Sequence, residues 1–475
     1  MVRNHPPSTG NNCVQTGCFL APQGPVPCGP AGPYHPGRGP APRAAPRSGR
    51  IDRSHGAGAP GPRWRPRRRT TPALVASCAV PEAPSILDGV RERFAASTDF
   101  TVGLEEEYQL LDPASMALVQ RFDDVFDSAP ADLRPHLTGE LITSEIEYRT
   151  SPHMGFAGAA RELAEGRLAV IRHAESLDIA TAIAGCHPFS PWQDQRIINT
   201  PHYERVADEL GYIAWMNNTW SQHLHVGLRD ADRAIRVCTA MRSVLPEILA
   251  LSANSAVYLG RVTRLHSTRT SLFTRSFPRC GIPDPLMDFD EYADFVRLLE
   301  RTGSIVESTQ IWWSIRPHHD FGTVEVRIAD GQTDMVEAMG VTALSLALVA
   351  RFAEAYDAGE PLPAHPGRLL EENLWRAQRH GLGGRMIDFA TGEERTTGDA
   401  VRALLESTAQ VHDRLGLEPF LAAVPTMLDE GNGAQRQIRA MESGEDIVAM
   451  HAQAVERTRR SAEEALEMMG AVSNG

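Results

Sequence analysis

The chain has 475 residues and a formal net charge of −13, and residues 1–81 hold eleven arginines and one acid, which leaves about −23 on the remainder. The strong negative charge of residues 82–475 argues against nucleic acid as a partner, because binding a phosphate backbone needs a basic surface. The chain contains no lysine, which excludes a Walker-type phosphate loop and a Schiff-base or pyridoxal-phosphate mechanism, and leaves arginine, backbone amides and metal ions to hold a phosphate.

Residues 1–95 are predicted to be a disordered extension rich in proline, glycine and arginine. Sixteen of the 34 prolines lie in residues 1–81, and this composition cannot bury enough apolar surface to offset chain entropy. Three arginines at 67–69 resemble an export signal but lie far from Met1, so an upstream start on a cytoplasmic protein is the favoured interpretation. The seven cysteines show no paired CxxC spacing, which also indicates a reduced, cytoplasmic protein.

Four short stretches alternate apolar residues with chemically active ones, as expected of strands with two different faces. The active fronts carry Glu105 and Glu107 in 101–112, Glu145, Glu147 and Arg149 in 143–150, His223 and His225 in 222–228, and Glu325 and Arg327 in 323–330. If one sheet gathers these fronts, five carboxylates, two imidazoles and two guanidiniums share a surface. That inventory is typical of a divalent-metal and phosphate site.

Each front alone has a simpler explanation, since one face of an antiparallel strand is often solvated. A histidine pair also occurs in cores or on zinc, and Glu325 with Arg327 would contribute at most ~1 kcal/mol as an exposed salt bridge. Against this, residues 100–120 contain no basic residue beside Glu105 and Glu107, and like charges about 7 Å apart are tolerated best around a cation. The mainly oxygen donors favour Mg²⁺ or Mn²⁺ over zinc.

Between and after these strands the sequence predicts helices at 161–177, 231–254, 291–302 and 335 to about 356, with a short strand at 179–184. Everything beyond residue 368 is predicted to be helical, with a break at 431–433. The longest apolar run, 339–352, is shorter than the ~20 residues that span a bilayer, so we expect a buried helix and no membrane contact. Strands before residue 330 and helices after it predict an α+β fold with a helical C-terminal part.

The predicted strands lie in six separated motifs, Phe100–Asp112, Leu141–Thr150, His223–Gly227, Phe277–Pro283, Gln310–Pro317 and Gly322–Asp330. Together these motifs resemble the bacterial carboxylate-amine ligases of the YbdK type, which form the second glutamate-cysteine ligase family. The resemblance covers about residues 96–460, and residues 96–465 are accordingly predicted to be a carboxylate-amine ligase catalytic domain. It implies a fold related to glutamine synthetase, in which a curved antiparallel sheet forms a funnel flanked by helices.

The resemblance also implies roles for individual residues. The implied metal ligands are Glu105, Glu107, Glu145, Glu147, His223 and Glu325. The implied catalytic residues are Arg327, Glu325 and His225, and the residues expected to contact ATP or phosphate are Arg327, Arg316, Arg149 and His225. Substrate candidates, for which helix capping or solvent contact is an equally good explanation, are Asn254, Glu372, Asn373 and Arg376.

The implied reaction forms an amide from a carboxylate and an amine through an acyl phosphate, with ATP and Mg²⁺ (or Mn²⁺) as cofactors. Its nominal substrates are glutamate and cysteine, with weak activity expected, and the sequence does not identify the true pair. Two alternatives stay open. One is a metal-dependent amide hydrolase, against which the pairing of Glu325 with Arg327 counts, and the other is a non-catalytic metabolite binder. A homodimer is expected because proteins of this fold group assemble.

Overall fold

A computed structural model gives the structure of residues 85–472. The predictions for residues 1–84 lie outside the described residues, and these include the predicted disorder and the cysteines Cys13, Cys18, Cys28 and Cys78. The three cysteines within the described range, Cys186, Cys238 and Cys280, are free thiols.

Strands and helices alternate irregularly along the described range. The strands are β1 (Val102–Leu111), β2 (Leu137–Thr138), β3 (Glu145–Arg149), β4 (Ala180–Ala182), β5 (Gln222–Gly227), β6 (Val257–Tyr258), β7 (Arg261–Val262), β8 (Cys280–Gly281), β9 (Trp312–Trp313), β10 (Ile315–His318), β11 (Thr323–Val326), β12 (Arg385–Ile387) and β13 (Glu394–Thr396). The helices are α1 (Val90–Ala96), α2 (Phe122–Asp127), α3 (Phe156–Ser176), α4 (Pro201–Leu210), α5 (Tyr212–Trp215), α6 (Ala231–Met241), α7 (Leu245–Ser252), α8 (Thr268–Ser276), α9 (Phe289–Arg301), α10 (Met335–Asp357), α11 (Gly367–His380), α12 (Thr397–Ser407), α13 (Ala409–Leu415), α14 (Glu418–Leu421), α15 (Ala423–Glu430), α16 (Gly433–Glu442) and α17 (Ile447–Val472).

The central sheet has seven strands in the order β10-β11-β5-β1-β3-β2, and β4 pairs with the far end of β1. Every pairing in it is antiparallel. The sheet is open, and its four central strands are the four stretches whose alternation the sequence shows. The predicted α+β fold, an antiparallel sheet flanked by helices with a helical C-terminal part, is therefore confirmed.

The apolar back of the sheet packs against helices, because the alternation places every second side chain of β1 on that side. Leu104, Tyr108 and Leu110 are fully buried there, and α3 lies against β1 and β3. This approach is close: a side chain at Gly166 of α3 would overlap the ring of Tyr148 on β3. The back therefore carries the main hydrophobic core, and the front is left for polar groups.

Helix α10 is long and apolar enough to cross a membrane by length and composition, and it is the one helix of the described range with this property. It contacts α6, α7, α14, α15 and α17, and 83% of its most apolar window is buried inside the protein. The prediction of a buried core helix at 339–352 therefore agrees with its packing.

Four elements differ from the sequence predictions. The predicted helix 231–254 is two helices, α6 and α7, since residues 242–244 turn between them. The predicted strand 323–330 ends at Val326, so Arg327 follows the strand. The C-terminal part contains the hairpin β12–β13 as well as helices. Residues 85–95, predicted as part of the extension, include most of α1, whose Val90 and Phe94 are buried in the core.

Candidate active site

The register of the central sheet arranges the predicted fronts in four rows that run across the strands. The first row joins Gly103, His225, Glu325 and Arg316, the second joins His223, Glu105 and Arg149, the third pairs Glu107 with Glu147, and the fourth pairs Gln109 with Glu145. Neighbouring rows are about 7 Å apart, because residues two apart on a strand are separated by that distance. The strand pairing thus gathers all four fronts on one surface, as the alternation predicts.

These rows line a cavity of about 320 Å³. The sequence-predicted residues that line it are Glu105, Glu107, Glu145, Glu147, Arg149, His223, His225, Arg316, Glu325 and Arg327. Apolar residues line it as well, among them Val206, Phe277 and Trp312. The cavity therefore combines a strongly charged floor with an apolar part.

Within the described residues, three groups of side chains offer donor atoms that all lie within 4.8 Å of one another. They are Glu105 with His225 and Glu325, Glu105 with Glu147 and His223, and Glu107 with Glu140 and Glu147. Glu105 and Glu147 each belong to two groups. The groups are therefore contiguous, and they offer up to three neighbouring positions for a cation.

Several of these carboxylates destabilise one another when no cation is present. Burial, followed by Glu105 and Glu140, raises the pKa of Glu147 well above its usual range. Burial also raises the pKa of Glu140. For Glu105 burial acts in the same direction, but His225 and His223 outweigh it and hold the pKa well below its usual range.

The two histidines of β5 each offer a ring nitrogen to one donor group. The Nδ1 of His225 lies 3.0 Å from the hydroxyl of Thr323, which fixes the ring, and its buried Nε2 lies 3.3 Å from a carboxylate oxygen of Glu105. A ligand imidazole held at its second nitrogen is the usual arrangement at protein metal sites. In His223 both nitrogens are engaged, with Glu105 and with Ser221. The sequence assigned the metal to His223 and the pocket wall to His225. The structure places each histidine in one donor group, so that assignment stays a prediction.

Glu325 is the front carboxylate with the most countercharge. The Nε of Arg316 donates to it at 2.7 Å, and Arg327 donates to its other oxygen. Burial would raise the pKa of Glu325, but these two guanidiniums outweigh it and hold the pKa well below its usual range.

The two arginines beside Glu325 differ in how many of their N–H groups remain available to a ligand. Arg316 also donates to the carbonyls of Thr309 and Ile311, so its side chain is largely occupied in holding Glu325. Arg327 keeps a buried Nε with no hydrogen-bond partner, and Arg149 has a side chain that is 42% exposed. The prediction of Arg316 as a direct phosphate ligand is therefore weakened, and Arg327 and Arg149 are the better candidates.

Glu145 lines the cavity but belongs to none of the three donor groups. Both of its carboxylate oxygens are buried and accept no hydrogen bond. Burial, followed by repulsion from Glu107 and Glu140, raises its pKa well above the usual range. The structure thus brings Glu145 to the site without placing it among the predicted metal ligands.

Among the cavity residues that escaped the sequence analysis are Glu140 and Arg269. Glu140 is a member of the third donor group, but it lies in the loop before β3, where no alternation marks it. Arg269 on α8 donates to the carbonyls of Arg327 and Ile328, and its position shows no sequence signal either. Its guanidinium also lies 3.7 Å from the buried Asp330.

The four substrate candidates do not reach the cavity. The amide of Asn254 is buried against Gly331, Thr333 and Gln437. Asn373 exchanges two hydrogen bonds with the backbone of Ile387 and so ties α11 to β12. Arg376 and Glu372 pair with each other on α11. Backbone hydrogen bonds and surface ion pairs account for each of these side chains where the structure places it.

Magnesium or manganese ions fit this donor set. Hard divalent cations prefer carboxylate oxygens with at most one imidazole, which describes each donor group. The raised pKa of Glu147 and the unpartnered oxygens of Glu145 also show that the described side chains do not neutralise the cluster by themselves. The fit therefore rests on both the chemistry of the donors and their uncompensated charge.

The fold places the protein in the glutamate-cysteine ligase-like class. A glutamate-cysteine ligase from Francisella tularensis, solved in complex with AMP, superposes with a TM-score of 0.55 at 11% identity and covers 79% of this chain and 93% of its own. A bifunctional glutathione synthetase from Pasteurella multocida gives a TM-score of 0.56 at 13% identity over 79% of this chain and 54% of its own. At this identity the likeness establishes the fold.

The chain belongs to glutamate-cysteine ligase family 2, whose family model matches residues 101–461. A relative from Rubrobacter xylanophilus, provisionally named glutamate–cysteine ligase 2-2, is 35% identical over 71% of this chain and 86% of its own length. A relative from Herpetosiphon aurantiacus, provisionally named glutamate–cysteine ligase 2, is 34% identical over 76% of this chain and 93% of its own. The family resemblance seen in the six motifs is therefore confirmed.

Proposed function

We propose that the protein is an ATP-dependent ligase that joins a carboxylate to an amine through an acyl phosphate. The observation that carries this proposal is the set of three contiguous donor groups beside Arg327 in one cavity. Phosphoryl transfer is catalysed mainly by positioning and charge neutralisation, which divalent cations and a free guanidinium provide. The AMP in the Francisella ligase of the same fold supports an adenine nucleotide as the phosphoryl donor.

The reaction proceeds in two displacements. An oxygen of the carboxylate substrate attacks the γ-phosphorus of ATP as the bond to ADP breaks, which gives the acyl phosphate. The amine then attacks the acyl carbon, inorganic phosphate leaves, and the amine loses a proton as the amide forms. Bound Mg²⁺ or Mn²⁺ would neutralise the phosphate oxygens.

The residues around the donor groups have distinct tasks in this proposal. Arg327 contacts the transferred phosphoryl group through its unpartnered Nε, and Arg149 stabilises phosphate from the second row. Arg316 positions Glu325 for metal binding, and Thr323 orients His225. Arginine performs these tasks without lysine because its planar guanidinium matches phosphate oxygens.

Glutamate and cysteine are the nominal substrates, because the relatives' provisional names specify them. The cytoplasm is the proposed compartment, since the reaction consumes ATP. Because Val206, Phe277 and Trp312 give the cavity an apolar part, the substrate screen also includes carboxylates and amines with apolar side chains.

The test separates the carboxylate step from the amine step. The full-length protein is supplied with ATP, Mg²⁺ and single carboxylates, with hydroxylamine as a nucleophile that converts an acyl phosphate to a coloured hydroxamate. A matrix of amines, beginning with cysteine, is then screened for ADP release with the active carboxylate. We expect ADP release that depends on both substrates and on Mg²⁺.

The matched variants are Glu325→Gln and Glu372→Gln, each of which removes one carboxylate beside an arginine. Glu325→Gln should abolish hydroxamate formation, whereas Glu372→Gln on the surface of α11 should leave it unchanged. Amide cleavage without nucleotide would identify a hydrolase instead. Absence of both activities in folded protein, with saturable binding of a carboxylate or amine, would identify a metabolite binder.

A further inference from the structure

Glu145 is a buried acid that neither folding nor the donor groups account for. It is 1% exposed and lines the cavity. No N–H or O–H group of the described residues donates to either of its oxygens, and the side chain within hydrogen-bonding reach is another carboxylate, that of Glu107. An unpaired buried carboxylate is costly, and each such group in a native protein calls for an explanation. A ligand that donates hydrogen bonds to Glu145 would explain why the carboxylate is buried there.

The acids and the base that face Glu145 leave it open to a cationic ligand. Glu107 and Glu140 are its acidic neighbours, and Arg269 is the nearby base. Arg269 donates to two backbone carbonyls and lies 3.7 Å from Asp330, and it makes no hydrogen bond to Glu145. The negative potential around Glu145 is therefore not cancelled by its own protein environment.

Glu145 also lies at one end of the four rows. Glu325 lies at the other end, in the first row, and Arg327, which the proposed function assigns to the phosphate, follows β11 and donates to Glu325. The rows between them carry the remaining metal candidates. Because the acyl carbon must lie between the departing phosphate and the attacking amine, the amine belongs at the end opposite Arg327, which is the end that holds Glu145.

We propose that Glu145 binds the ammonium group of the amine substrate and so positions it beside the acyl carbon. Before attack the ammonium releases one proton to water, because a protonated amine has no lone pair, and the neutral amine then attacks from the same position. The inference rests on the proposed ligase function and names the substrate class as amines that are cationic at neutral pH. A charged ammonium offers three N–H donors, which satisfy the two unpartnered oxygens of Glu145 and contact Glu107. Glu145 is then a substrate-binding residue and not a metal ligand.

The experiment compares two nucleophiles in the variants Glu145→Gln and Glu107→Gln. Hydroxylamine is uncharged at neutral pH, so it does not need Glu145, whereas cysteine, or the most active amine of the ADP-release screen, carries an ammonium group. In Glu145→Gln we expect kcat/KM for the cationic amine to fall about 10- to 100-fold, the range for a hydrogen bond to a charged group. The ratio of kcat/KM for the cationic amine to the rate of hydroxamate formation should therefore fall, with no increase in the Mg²⁺ concentration that gives half-maximal hydroxamate formation.

Glu107→Gln provides the contrast, because loss of a metal ligand should reduce both reactions together. If Glu145→Gln also loses both reactions in equal proportion and needs more Mg²⁺, Glu145 is a metal ligand and the proposal is wrong. If it keeps both at the wild-type level, the proposal is equally wrong. Glu145→Asp, with a thermal unfolding curve for each variant, covers the case in which glutamine at this position does not fold.

If the wild-type protein forms neither hydroxamate nor ADP with any carboxylate, it is the ligase function that fails. The two proposals thus fail by different observations. A normal hydroxamate reaction in the wild type, together with an unaltered preference for cationic amines in Glu145→Gln, contradicts only the role of Glu145.

Discussion

Strand β1 carries three consecutive glutamates, and they occupy two opposite environments. On the back, Glu106 is 1% exposed and accepts hydrogen bonds from Arg167 and from the hydroxyl of Tyr108. Arg167, which is fully buried, also donates to the carbonyls of Gln332 and Thr333. On the front, Glu105 and Glu107 share a cavity with Glu140, Glu145 and Glu147.

The difference shows what each face contributes. The back pair is a closed network in which the charges are matched by protein groups, so it contributes to stability of the native arrangement. The front has more carboxylates than the neighbouring guanidiniums and imidazoles balance, and the raised pKa values of Glu145 and Glu147 record that cost. Glu106 on the back of β1 therefore has a structural role, whereas its neighbours Glu105 and Glu107 on the front are available to ligands.

The largest expected effect on stability is that of a substitution on the back of β1. Glu106→Gln removes the charge that balances Arg167 and leaves a buried guanidinium uncompensated, so the free energy of unfolding should fall by about 3–5 kcal/mol. Urea denaturation of the metal-free protein measures this change. The surface variant Glu372→Gln should change it by less than about 1 kcal/mol. A loss below about 1 kcal/mol for Glu106→Gln would remove the distinction between the faces.

Removing a carboxylate from the front should have the opposite effect on the free energy of unfolding. Glu147→Gln relieves repulsion among buried carboxylates, so the metal-free protein should gain about 1 kcal/mol of unfolding free energy. Ligase activity should fall at least about 100-fold, because Glu147 belongs to two donor groups and electrostatic stabilisation of the transition state is lost. Thermal unfolding in EDTA and ADP release measure the two effects. Destabilisation with retained activity would contradict the assignment.

The smallest effect is the pH dependence of stability without metal. Because the pKa values of Glu145 and Glu147 are raised in the folded state, the folded protein binds more protons than the unfolded chain, whose glutamates titrate near pH 4.3. This contribution is complete below about pH 4.3 and is lost as the pH rises through the raised values.

Thermal unfolding in EDTA between about pH 5 and pH 8 should therefore show a melting temperature that falls with pH. The slope should be shallower in Glu147→Gln, which lacks one of the two groups. Saturating Mg²⁺ should reverse the trend, because metal binding requires deprotonated carboxylates. A metal-free profile that rises with pH in the wild type and the variant alike would contradict the raised pKa values.

The strand fronts were predictable because alternation is a property of local sequence, and it held for Glu105, Glu107, His223 and His225. The partners that these residues have on neighbouring strands were not predictable from local sequence. The sequence predicts phosphate contacts for both Arg316 and Arg327, with a catalytic role for Arg327 alone, and only the register shows that Arg316 faces Glu325 and is occupied by it. Glu140 was missed because it lies in a loop, and its place depends on tertiary packing.

The positions of the substrate candidates beyond the strands could not be predicted, for a related reason. Asn254 and Asn373 lie in stretches that resemble the family. An asparagine that hydrogen-bonds to backbone groups fits such a resemblance as well as one that contacts a ligand. Their hydrogen bonds to Gly331 and Ile387 show the former. Similarity along the sequence therefore identifies the fold more securely than the function of single polar residues.

The pair of Glu106 with Arg167 has a further consequence for folding. In an antiparallel sheet, a slip of one residue exchanges the two faces of a strand. Such a slip in β1 would turn Glu105 and Glu107 toward the single guanidinium of Arg167 and move Leu104 and Tyr108 out of the core. Arg167 can neutralise one glutamate of the three, so it selects the alignment in which the middle one faces inward.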